Sequence, residues 1–136
     1  MAFDIIKSTH GGRRAATTGV MIGNYAYASM GGRTQAKILF GHDVVDRMKL
    51  SKGDRLDLFW GTGADHGTIL LRRGTTYRLQ QASKATKTLY MQSFPLGSIL
   101  GTSFAAVPAT LGEMSSPDTI YINIPVSVMP SELAAA

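Results

Sequence analysis

Cysteine is absent from all 136 residues. That excludes disulfides, thiolate metal sites and cysteine nucleophiles, and it fits a reducing cytosol. Long hydrophobic runs are also missing. The longest apolar stretches fall well short of the roughly 20 residues that a membrane helix requires, so no membrane partner is expected. The opening residues, MAFDIIKSTHGGRR, lack the apolar run and small-residue cleavage pattern of a secretory signal, and a cytoplasmic location is expected. Charge is sparse, at 17% of residues, where a protein of long helices would carry more Glu and Lys.

Enzyme signatures are scarce too. The stretch Gly61–Gly67 has glycines after an expected strand, but their spacing departs from the dinucleotide fingerprint and they lead into another strand. A hairpin turn is the better reading. There is no phosphate loop ending in Gly-Lys-Ser/Thr and no G-x-S-x-G elbow. His10, His42 and His66 are too far apart in sequence to form a local metal-ligand pair. His42 fits a helix start and His66 fits a turn. No cofactor, no metal site and no catalytic activity are expected.

What is present is one domain's length of chain, 44% apolar, with 15 glycines suited to short strands joined by turns. Net charge is +5, unevenly placed. All 14 Lys and Arg lie between Lys7 and Lys87, and against six acids they give residues 1–90 a charge of +8; residues 91–136 carry −3. A basic segment of this kind attracts polyanions through a salt-sensitive field, or serves as a solubility surface.

Along the chain, Phe3–Lys7 reads as a strand and Ser8–Thr18 as a loop. Residues 19–30 read as a bent strand with a bulge or turn at Gly23-Asn24. A turn at residues 31–33 precedes a strand at Lys37–Phe40. A short helix is expected at about 43–50, with Asp43 capping, Asp46 at the capping-box position, and Val44, Val45 and Met48 on one face. Arg55–Trp60 and Thr68–Arg73 read as a hairpin. Thr75–Gln81 and Thr86–Ser93 read as a second hairpin about residues 82–85. Residues 95–118 read as loop holding a short strand or helical turn. Asp118–Val128 reads as a strand ended or edged by Pro125, and Ser131–Ala136 as a helical tail. The expected fold is therefore mainly β: a small barrel or sandwich of short antiparallel strands with one short helix. Residues 1–93 form a basic β-rich core, and 94–136 a less charged C-terminal extension packed on the same domain.

The tract 67–92 combines Arg72, Arg73, Arg78, Lys84 and Lys87 with Tyr77 and Tyr90, inside an acid-free span from His66 to Gly112. On paired strands this suits phosphate contact with base stacking. The bland alternative is two half-buried tyrosines beside a solvated basic edge.

The segment KILFGHDVVDRMKLSKGDRLDLFWGTGADHGTILLRR, residues 37–73, resembles the AbrB/MazE-type swapped-hairpin module of small DNA-binding regulators and antitoxins. The resemblance rests most on Met48, Leu50, the Lys52-Gly53-Asp54 turn, Leu56 and Leu58, and it covers about a quarter of the chain. It implies DNA binding and a homodimer of interlocked hairpins. Two positions depart from the family. Gly41 stands where proline is usual, and Val45-Asp46 where the family's helix carries a basic pair. The resemblance then leaves phosphate contact to Arg33, Lys37, Arg47 and Lys49.

A non-catalytic nucleic-acid-binding regulator or accessory factor is the expectation, with DNA ahead of RNA and a homodimer or higher homo-oligomer. The alternative is a structural or assembly protein, such as a small phage virion component, that self-associates through its apolar C-terminal part.

Overall fold

Alternating burial organises the molecule. A computed structural model describes residues 18–82, 84 and 86–129. The strand at Phe3–Lys7, nearly all of the loop after it and the helical tail from Ser131 lie outside the described residues. In β1 (Val20–Tyr27), Val20, Ile22 and Asn24 point inward. In β2 (Arg33–Phe40), Ala36, Ile38 and Phe40 are buried, and the residues between them face out. This period of two is what a half-buried strand requires.

Helix α1 (His42–Arg47) follows, then β3 (Arg55–Trp60), β4 (Thr68–Arg73), β5 (Tyr77–Arg78), β6 (Gln80–Gln81) and β7 (Leu89–Ser93). Helix α2 (Phe94–Leu100), β8 (Phe104–Leu111) and β9 (Thr119–Asn123) complete the set. Among the described residues, nine antiparallel strands form a nearly closed barrel in the order β5-β3-β4-β9-β8-β1-β2-β7-β6. The mainly β class read from the sequence is thus the observed class, in its barrel form.

Closure depends on residues 77–81. Strands β5 and β6 are halves of one segment interrupted at Leu79: β5 pairs with β3, and β6 with β7. At the break the Leu79 N–H donates to the Asp54 carbonyl at 2.8 Å, and its carbonyl accepts from Gly53 N–H at 2.9 Å. The Leu79 side chain is fully buried. Inside lie Phe40, Ile22, Ile38, Met48, Leu56, Ile69, Leu71, Met91, Leu96, Ile120 and Ile122. Each such side chain contributes about 1.5–3 kcal/mol by leaving water.

Besides the strand expected at Asp118–Val128, which runs only over Thr119–Asn123 and is followed by a 3-10 turn at Val126–Val128, the structure departs from the sequence reading in three places. Asp43 does not cap α1: the N-cap is Gly41, with no side-chain cap bond. The Asp43 carboxylate instead accepts from Gly19 N–H at 2.8 Å, tying the helix to the start of β1. That bond is the main reason its acidity is strengthened below the usual carboxylate value. The helix also ends early, because Lys49 takes a left-handed φ of 53° after Met48. Thirdly, residues 95–118 are largely regular. They hold most of α2, capped by Ser93 Oγ accepting from Leu96 N–H, and the eight-residue β8. Pro108 misled there. It is tolerated because β8 has β9 beside it only at Thr110 and Leu111, leaving one side open at the proline.

Candidate nucleic-acid interface

Antiparallel register decides which side chains share a face. Across β1 and β2, Tyr27 lies opposite Arg33, Tyr25 opposite Gln35, Gly23 opposite Lys37 and Met21 opposite Leu39. Across β2 and β7, Lys37 lies opposite Gln92 and Leu39 opposite Tyr90; Tyr90 in turn lies opposite Gln80 on β6. All of these belong to the outward set. The result is a four-strand face carrying Tyr25, Tyr27, Tyr90, Arg33, Lys37 and three glutamines. No Asp or Glu occurs in any of its strands.

Rings and cations meet directly on this face. The Lys37 ammonium sits 4.4 Å from the Tyr90 ring centroid, and the Arg33 guanidinium 4.1 Å from that of Phe94. Such contacts contribute about 0.5–1 kcal/mol at exposed positions. Gly23 has a specific part here. A Cβ at that position would lie 2.7 Å from the Tyr25 hydroxyl and 2.9 Å from its ring, so the missing side chain lets Tyr25 lie flat on the sheet. The bulge expected at Gly23-Asn24 is present as a register shift against β8 between Ile22 and Asn24.

The other candidates separate. Counting β5 and β6 as one wall position, β4 stands four strands from β2 in either direction. Arg72 is therefore on the opposite wall, where it faces Asp57 and lies 5.8 Å from the Phe59 ring. Arg73 is a clamp. Its Nε donates to the Pro117 carbonyl at 2.8 Å, Nη1 to Asp54 Oδ2 at 2.6 Å, and Nη2 to the Met48 and Lys49 carbonyls at 3.1 and 3.0 Å. Tyr77 packs against the core, and its hydroxyl accepts from Ser93 Oγ at 3.0 Å. Arg47 is exposed on α1 and Lys49 at its exit. Lys87 forms an exposed 3.4 Å ion pair with Asp46, an arrangement of little energetic consequence.

Arg78 and Lys84 join Lys52, Leu79, Gln80 and Gln81 around a hollow of about 620 Å³. Gln80 connects it to the face, since its Oε1 accepts from the Tyr90 hydroxyl at 3.3 Å. The structure thus gathers Arg33, Lys37 and Tyr90 on one face and Arg78 and Lys84 beside it. The sequence reading missed Tyr25, Tyr27, Phe94 and Lys52 as companions. Tyr25 and Tyr27 could have been found from their two-residue spacing, which puts both on one side of a strand.

Among the described residues no group of three His, Cys, Asp or Glu side chains could hold a metal, and no helix is long and apolar enough to cross a membrane. Comparison with protein-family models, curated proteins and solved structures found no match.

Proposed function

We propose that this protein is a non-catalytic nucleic-acid-binding protein that takes single strands, DNA ahead of RNA, on the β1–β2–β7–β6 face. The observation that carries the reading is the acid-free row of rings and cations set by register, with Lys37 over Tyr90 and Arg33 over Phe94. An open sheet face with rings lets unpaired bases stack, while adjacent cations meet the phosphates. Lys37 has a flexible stem and can leave the ring for a phosphate. The sequence resemblance of residues 37–73 to swapped-hairpin regulators also favours DNA.

Fluorescence anisotropy with labelled single- and double-stranded oligonucleotides tests the reading. Tyr25→Ala is expected to weaken single-strand binding by about 1–3 kcal/mol. Lys37→Ala weakens it in a salt-dependent way, and Arg72→Ala on the opposite wall leaves it unchanged. Equal binding by the parent, Tyr25→Ala and Lys37→Ala would sink the proposal.

A specific observation favours the second reading, an assembly protein that self-associates. Phe59, Leu70 and Tyr121 form an outward row across β3, β4 and β9, and Met114 nearby is 83% exposed. Light scattering at high salt, comparing the parent with Phe59→Ser, distinguishes it: an oligomer lost in the variant, with no retained nucleic acid, supports assembly. Deleting residues 94–136 is no test, because β8 and β9 are barrel strands.

A further inference from the structure

We infer that the hollow beside β6 seats a phosphate group carrying at least two negative charges, the terminal phosphate of a strand or the polyphosphate of a free nucleotide. The strand source rests on the function proposed above; the hollow's own chemistry does not. Three cations from separate stretches of chain, Lys52, Arg78 and Lys84, line it, and no carboxylate of a described residue does. The neighbouring acids are engaged elsewhere. Asp54 is held by Arg73 Nη1 and by Ser51 N–H, and Asp46 faces Lys87. Lys52, Arg78 and Lys84 form no ion pair with a described residue.

Register supplies an independent sign of an anion. Arg55 on β3 stands directly opposite Arg78 on β5. Like charges in that relation destabilise a sheet, and a bound anion between or beside them reverses the sign. The Gln80 amide is oriented as well: with Oε1 turned to the Tyr90 hydroxyl, its N–H donors are the end left for an acceptor.

The charge of the ligand follows from this setting. A diester within a strand brings one negative charge and is flanked by sugar on both sides, which keeps it on an open face. An end group brings two or more charges and can enter a recess. The volume of about 620 Å³ is also that of a site for a nucleotide-sized ligand.

The test measures binding of one oligothymidylate length as 5′-phosphate, 3′-phosphate and unphosphorylated forms, and of inorganic triphosphate and a nucleoside triphosphate by calorimetry. Proteins are the parent, Lys52→Ala, Arg78→Thr and, as a charge control on the opposite wall, Arg72→Ala. One end-phosphorylated form is expected to bind at least about fivefold more tightly than the unphosphorylated strand, charge-assisted hydrogen bonds being the stronger kind. Lys52→Ala and Arg78→Thr remove that advantage, and Arg72→Ala retains it. Arg78→Thr is expected to keep or raise the unfolding midpoint, by up to about 3 °C, because it relieves the Arg55–Arg78 repulsion. Triphosphate binding without any oligonucleotide binding supports the hollow and overturns the nucleic-acid face. Oligonucleotide binding indifferent to end phosphates, with no triphosphate binding, overturns the hollow and leaves the face standing.

Discussion

Arg73 donates from all three guanidinium nitrogens to the Pro117, Met48 and Lys49 carbonyls and to the Asp54 carboxylate. It therefore joins the end of α1, the turn before β3 and the loop before β9. Arg73→Ala is expected to cost about 1–3 kcal/mol in urea unfolding, reduced from the sum of its bonds by partial exposure. Arg73→Lys should recover little, because a single ammonium cannot match the planar fork. Asp57 is a second residue with a structural task. Its Oδ1 accepts from Thr76 Oγ1 at 2.7 Å and from Thr75 and Thr76 N–H at 3.1 Å each. The Thr76 hydroxyl first, and then the Thr75 N–H, holds its carboxyl below the ordinary value of 3.8. A lowered carboxyl contributes stability above its unfolded value, and the contribution is lost as pH falls through the folded one. The urea midpoint of the parent should fall below about pH 4 with an extra acid-dependent component that Asp57→Asn lacks.

Helix α2 is held to the barrel by its polar backbone. The Gly97 carbonyl accepts from Asn24 Nδ2 at 3.1 Å and from Thr34 Oγ1 at 2.9 Å, and Asn24 Nδ2 also reaches the Thr102 carbonyl at 3.1 Å. Asn24 is fully buried at the β1 bulge, so the bulge and the helix are one arrangement. A Cβ at Gly97 would collide with the Thr34 backbone carbonyl. Gly97→Ala should therefore destabilise by about 1–3 kcal/mol, the range for overpacking, despite the better helix propensity of alanine. Thermal unfolding followed by circular dichroism reads this directly, and a rise in midpoint would disprove the close approach.

At the scale of the whole molecule, the barrel closes where residues 77–81 pair with β3 on one side and with β7 on the other. The same closure distributes the charge. Arg33 and Lys37 belong to the β1–β2–β7–β6 face and Lys52, Arg78 and Lys84 to the hollow at its β6 edge, while Arg72 lies on the opposite wall on β4. If Arg33 and Lys37 each meet a phosphate and the cations of the hollow share one more, log affinity for an end-phosphorylated single strand should fall with log salt at a slope of about −2. A slope near −1, measured by anisotropy over a tenfold salt range, would exclude a contact of that extent.

The sequence by itself determined the strand Arg55–Trp60, where Leu56 and Leu58 alternate with Arg55 and Asp57, and the helical face of Val44, Val45 and Met48, because these are local periodicities. It also determined that the positive charge ends at Lys87. Only the tertiary structure decided which cations act together. Arg72 and Arg73 are adjacent in the chain, yet alternation along β4 turns one outward beside Phe59 and leaves the other bonded to Asp54 and three carbonyls. Tyr25 and Tyr90 are far apart in sequence and share a face only through the register of β1 on β2 and of β2 on β7. The strand in 104–111 was illegible for a related reason: a proline is excluded from a strand paired on both sides but not from one with an open side, and that depends on neighbours far along the chain.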